Sequence, residues 1–328
     1  MKKKITFRGI WDVLMDSFNG FLDDKVLKLS GALAYFTVFS LGPMLIVAIF
    51  FADIFYGRDA IEGNIYLQTK SLIGPAAAIQ IQEVIKNASL SGKTNFTAII
   101  GFITLLVGAT SVFSEIQDSV NMIWNLKAKP KKGWLKILFN RVLSFSVVVG
   151  LGFLLLVSLI ITALVEAMSN HLYHIFPHIT VAIVYVVNLL LTLIITTLLF
   201  SVIFKVLPDA KIKWKDVLVG SITTAILFML GKFGITFYIG SSNIGSTYGT
   251  AGSLIVILIW IYYSAIILYF GAEFTKAYAA HYGSRIEPNQ YAVWIKQIEV
   301  EEGKGSLKNQ EEKKKEENEM TGDNIKIT

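Results

Sequence analysis

No cysteine occurs in the chain. A disulfide framework and a thiolate metal site are both excluded by that absence. Histidine is scarce, with four in 328 residues. Charge is thin as well: 16% of residues are Asp, Glu, Lys or Arg, against about 25% in an ordinary soluble domain. No Walker A pattern is present, so any transport is not driven by an ATPase of this chain. The start, "MKKKITFRGIWDVLMD", is basic but has no clean apolar core and no cleavage site, so no removable signal peptide is expected.

What is there is apolar surface. Hydrophobic residues make up 54% of the chain, and they fall in long runs. A run of about 18 or more apolar residues reads as a membrane-spanning helix, because the hydrocarbon core is about 30 Å thick. Six such runs are expected, near 30–52, 96–117, 142–168, 179–204, 216–239 and 249–274. The sequence therefore predicts an all-α integral membrane protein with six transmembrane helices. Residues 1–284 form the membrane domain, and 285–328 read as a charged, disordered cytoplasmic tail.

Lysine and arginine orient it. Six precede the first run, six follow the second, four follow the fourth and nine lie at the C-terminal end. The alternate loops hold four in 53–95 and none elsewhere. The positive-inside rule places both termini in the cytoplasm. The net charge of +6 is then explained by topology and by anionic headgroups. A nucleic-acid surface would need basic and aromatic side chains clustered on a soluble face, and none is visible.

Two amphipathic pieces flank the first run. Phe7, Ile10, Trp11, Leu14, Phe18, Phe21 and Leu22 share one helical face, with Asp12, Asp16 and Asn19 opposite. Such a helix is expected to lie on the inner leaflet. Residues 62–88 are expected to form an outer helical cap between helices 1 and 2, broken at Gly74 and Pro75.

Three stretches, "SGALAYFTVFSLGPML", "GATSVFSEIQDSVNMIWNLK" and "STYGTAGSLIVILIWIYYSAIILYFGAEFTKAY", carry a family resemblance. So does "LPDAKIKWKDVLVGSITTAILFMLGKFGITFYI". Over about residues 10–283 the chain resembles the YihY/BrkB family of bacterial inner-membrane proteins. The resemblance implies a six-helix protein of the cytoplasmic membrane. The labels attached to the family range from ribonuclease BN to serum resistance to envelope or lipid transport. It implies no catalytic residue for this chain.

The ribonuclease label fails on chemistry. Phosphodiester hydrolysis needs a metal cluster of His and Asp or paired acid and base residues. Three of the four histidines, His171, His174 and His178, fall in one outer loop, and His281 stands alone. No metal site, cofactor, catalytic residue or enzyme activity is expected.

Polar residues inside apolar spans are the informative ones, since they are costly without partners or a wet cavity. Lys232 lies about 12 Å from the outer end of the fifth span at about 1.5 Å per residue. Asn188 is at similar depth in the fourth, with Thr192 and Thr196 on its face. Ser158, Thr162 and Glu166 line the third at the same spacing. These stripes serve either as glue between helices or as the wall of a polar cavity. A lysine stem can snorkel, which makes Glu166 the expected counter-ion of Lys232. At the end of the second span, Glu115 and Asp118 form either a proton or cation site or contacts to the lysine-rich loop that follows.

The turn "YIGSSNIGSTYGTAGSLIV" joins the last two spans. Its glycines read as a tight reversal with close packing, or as an unwound segment meeting a ligand. The favoured function is a transporter or flippase of a lipid or lipid-linked anion of the envelope. The alternative is a membrane scaffold that binds an envelope partner. The expected partners are membrane lipids, with an anionic lipid as substrate and no nucleic acid. A homo-oligomer is compatible with the sequence.

Overall fold

The computed structural model describes residues 6–40, 111–129, 177–241, 252–290 and 292–295. Two compact units divide the chain, Met1–Trp294 and Ile295–Thr328. In the first, α1 spans Phe7–Asp23 and α2 spans Val26–Ser40. Helix α3 covers 111–123 and is followed by β1, Leu126–Ala128. Three long helices come next: α4 (Pro177–Val206), α5 (Trp214–Ser241) and α6 (Gly252–His281). Short strands β2 (Ala210–Lys211), β3 (Glu287–Pro288) and β4 (Ala292–Trp294) complete the set.

Helix α4 has 30 residues, which is about 45 Å of length at about 1.5 Å per residue. Within α4, α5 and α6, the stretches Val186–Val206, Trp214–Ile235 and Leu254–His281 are long and apolar enough to cross a membrane. Proline opens α4, a position where its missing N–H is tolerated because the first N–H groups of a helix have no acceptor within that helix. The remaining three expected spans fall partly or wholly outside the described residues. The outer cap at 62–88 lies wholly outside them.

Local chemistry explains the boundaries near α1. Thr6 caps it, its hydroxyl accepting from Gly9 N at 3.3 Å. The helix ends as Lys25 enters the left-handed region at φ 53°, and α2 begins one residue later. Asn125 does the same after α3, at φ 56°. Asparagine tolerates that region better than most residues. Helix α3 runs past the expected end of its span at 117. Glu115, Asp118 and Asn121 therefore stand on an ordered helix.

Helix α5 packs on α4 and on α6, and α6 packs on α1. Glycine and threonine interlock α5 with α6. A Cβ on Gly220 would lie 1.9 Å from Thr275 Oγ1, and one on Gly271 would lie 2.0 Å from Thr224 Oγ1. Each helix thus offers a glycine notch to a threonine four residues along from the other's notch. Both hydroxyls donate back to their own helix, Thr224 to the Gly220 carbonyl and Thr275 to that of Gly271, each at 2.7 Å. The polar atoms are satisfied locally, so the contact between helices is one of shape.

The core gathers at the end where α4 stops and α5 starts. Trp124, Phe204, Leu207, Val217, Tyr269 and Ala272 are buried there. Away from this end, Leu190, Ile194, Leu230, Phe233 and Phe237 are exposed.

The described fold is mostly helical, and two short antiparallel ladders stitch its loops. In one, β1 pairs with β4, Leu126 opposite Trp294. In the other, β2 pairs with β3, Lys211 opposite Glu287. The opposite charges on facing residues favour that register. Residues 285–290 and 292–294 belong to the first unit. Backbone pairing and the burial of Ile286 hold them, and the Arg285 guanidinium lies 5.1 Å from the Trp294 ring centre.

Candidate functional site

Five of the seven candidate residues are described, and they lie on three helices. Lys232 is exposed on α5. Asn188 is half-buried on α4, and its carbonyl accepts the Thr192 hydroxyl at 2.8 Å. The hydroxyl proton of Thr192 is thereby used within its own helix. Thr162 and Glu166 lie outside the described residues, and so does any pairing of Glu166 with Lys232. Glu115 is half-buried on α3 and accepts from Ser119 Oγ at 3.3 Å. Asp118, one turn away, is exposed.

A second set of polar residues, most of which the sequence reading passed over, is drawn together at the core end. Asp209 follows α4 and is 7% exposed. Asn121 Nδ2 donates to its Oδ2 at 3.0 Å, and Asn289 Nδ2 to its Oδ1 at 3.3 Å. The backbone N–H of Asp209 donates to Asn121 Oδ1 at 2.8 Å, and its carbonyl accepts from Asn289 N at 3.0 Å. One residue therefore ties α3, the α4–α5 loop and the C-terminal segment. Charge-assisted bonds of this kind are stronger than neutral ones. Nearby, Trp124 Nε1 donates to the Ala272 carbonyl at 3.0 Å, and Asp216 Oδ2 accepts from Ser284 N at 3.0 Å. Lys205 donates to the Ile212 carbonyl.

The α1–α2 elbow contributes a third group. Lys276 of α6 lies 3.2 Å from Asp24 Oδ2 and 3.4 Å from Glu273 Oε2. Glu273 is 1% exposed. Gly20 of α1 makes room for it: a Cβ there would sit 2.6 Å from a Glu273 carboxylate oxygen. Four buried polar atoms have no hydrogen-bond partner among the described residues: Ser201 Oγ, Ser221 Oγ, Tyr269 Oη and Glu273 Oε1. Such atoms mark places where a water, ion or proton is wanted. No group of three or more potential metal ligands occurs among the described residues.

Glu273 was legible in principle. It is an acid within an apolar stretch of membrane-spanning length, where any ionisable group calls for a partner. The expected sixth span ends at 274, one residue beyond it. Asp209 and Asn289 lie 80 residues apart, and no local pattern links them.

Comparison with known proteins agrees with a membrane chain. A UPF0761 membrane protein of Stenotrophomonas maltophilia is 28% identical over 263 residues, covering 79% of this chain and 59% of the relative. The chain thus spans well under two thirds of that relative's length. A UPF0761 membrane protein of Tolumonas auensis is 27% identical over 258 residues, covering 77% and 80% respectively. One from Pseudoalteromonas atlantica is 26% identical over 254 residues, covering 77% and 81%. No solved structure matches. The family model described as virulence factor BrkB matches residues 17–293, from the middle of α1 to β4. Most of the folded unit lies within that match, and the chain belongs to the BrkB family.

Proposed function

We propose that the protein is a multi-pass transporter or flippase of the bacterial inner membrane, moving a lipid or lipid-linked anionic envelope substrate. In this reading six helices span the membrane and both termini are cytoplasmic. Helix α1 rests on the inner leaflet. The observation that carries it is Lys232, an ammonium on a helix of membrane-spanning length, among exposed Leu230 and Phe233. An ionisable side chain inside a spanning helix is costly without a partner. An anionic headgroup offsets that cost and gives the lysine a use. Asn188 and Thr192 on α4, with Thr162 and Glu166, form the rest of the proposed pathway. No cofactor, nucleic acid or catalytic step enters this reading.

The test is reconstitution in liposomes carrying labelled phosphatidylglycerol or labelled phosphatidylcholine. Wild type is expected to move the anionic lipid faster than protein-free vesicles do. Lys232→Met keeps the stem and removes the charge, and should abolish most of that movement at an unchanged melting temperature. Equal movement by wild type and Lys232→Met would remove the basis of the proposal. The second reading, a scaffold for an envelope partner, is favoured by the tight interlock of α5 with α6. It predicts no lipid movement by wild type.

A further inference from the structure

The α1–α2 elbow meets α6 at a charge imbalance. Asp24 and Glu273 are two carboxyls, and Lys276 is one ammonium between them. Asp24 is the C-cap of α1, so its position is set by the turn that Lys25 makes. Glu273 is 1% exposed and cannot turn to solvent. Its Oε2 faces Lys276, and its Oε1 has no partner among the described residues. The Asp24 and Glu273 carboxyls share the one Lys276 ammonium, at 3.2 and 3.4 Å. Asp24 from the elbow and Lys276 from α6 are the charged groups facing it. Gly20 brings the α1 backbone against the carboxyl, which leaves no space there for a hydration shell.

With both acids ionised, the site holds one uncompensated negative charge. Burying such a charge costs several kcal/mol. A bound cation removes it. A metal ion is disfavoured, because the Lys276 ammonium already occupies the cation position and only two carboxyls are on offer. A proton fits: carried by Glu273, it lets that carboxyl donate to Asp24 and balances the site at one negative and one positive charge. We propose that Asp24, Glu273 and Lys276 form a proton-binding site whose occupancy holds the N-terminal elbow against α6. Loss of the proton leaves two carboxylates facing across the α1–α6 contact, and their repulsion loosens it. The site goes beyond the transport reading and does not depend on it.

The experiment uses the full chain in detergent. Infrared difference spectra are recorded against pH for wild type, Glu273→Gln and Asp24→Asn. Melting temperatures are followed on the same samples. Wild type should show a protonated-carboxyl stretch that is absent from Glu273→Gln and disappears as pH is raised. Its stability should fall with rising pH, by up to about tenfold in the folding equilibrium per pH unit for one proton. Glu273→Gln is isosteric with the protonated acid, and should flatten that fall. Asp24→Asn, which removes the facing negative charge, should also flatten it. If either variant fails to fold, the wild-type infrared band and its titration still decide. A wild type with no such band, or one whose variants keep its pH dependence, overturns the site. So does a melting temperature that responds to sodium or potassium in place of pH.

Discussion

Asn121 and Asp209 hold each other by two hydrogen bonds running in opposite senses. The amide Nδ2 donates to Asp209 Oδ2 at 3.0 Å, and its Oδ1 accepts from Asp209 N at 2.8 Å. Both residues are buried, and they come from segments 88 positions apart. This clasp fixes the end of α3 against the α4–α5 loop.

Replacing Asp209 by Ala should therefore be expensive for the fold. It strands the amides of Asn121 and Asn289, and an unsatisfied buried polar group costs about 1–3 kcal/mol. A drop in detergent melting temperature is expected, with faster proteolysis of the α4–α5 loop. Asn121→Asp should be worse than Asn121→Ala, since it sets a second carboxylate against the first. Equal stability of the two Asn121 variants would show that the clasp carries no electrostatic weight.

The α5–α6 interlock predicts a rescue. Gly220→Ala sets a methyl into the space of Thr275 Oγ1, and overpacking of this kind costs about 1–3 kcal/mol. Thr275→Ala removes the obstructing hydroxyl. The double variant should melt higher than Gly220→Ala alone. The mirror pair, Gly271→Ala with Thr224→Ala, should behave the same way. Additive losses in both double variants would mean that the helices separate to accommodate the methyl.

Helix α1 leaves an apolar face uncovered: Phe7 is 88% exposed, and Trp11, Phe18 and Leu22 are exposed beside it. The buried side, with Val13 and Ser17, is turned to α6. If the open face lies in the headgroup region, a variant keeping Trp11 as its sole tryptophan should be quenched by brominated lipids in vesicles. Quenching is expected to be strongest for bromines near the headgroups. An unquenched Trp11 would place this face against water or protein.

Thiol labelling tests the orientation. Cysteines at Ser242 and Asn170 are expected to react with an impermeant reagent in intact spheroplasts. Cysteines at Gly133 and Lys213 are expected to stay silent until the membrane is opened. Lys213 is the suitable inner site in the α4–α5 loop because it is exposed, whereas Asp209 is buried and clasped. Labelling of the second pair alone would invert the arrangement.

Purified protein, free of contaminating nucleases, should not process tRNA with any divalent metal. Turnover that survives stringent purification and is lost on changing a residue of this chain would reverse the rejection of nuclease chemistry.

Sequence alone settled what depends on composition and short spacing. Long, continuously apolar runs read as helices in lipid, because a helix satisfies every backbone N–H and C=O within the segment. That argument found the membrane-length helices in α4, α5 and α6. The motifs at the ends of the spans were enough to identify the BrkB family. Tertiary structure alone decided which polar groups meet. Lys276 on α6 finds Asp24 at the elbow, 252 positions earlier, and Asp209 finds Asn121 and Asn289. Strands β3 and β4 pair with β2 and β1, which lie far from them in sequence. Hydrophobic periodicity reports which face of an element is apolar. It does not report which partner lies opposite, since a hydrogen bond depends on two positions brought within about 3 Å by the whole chain.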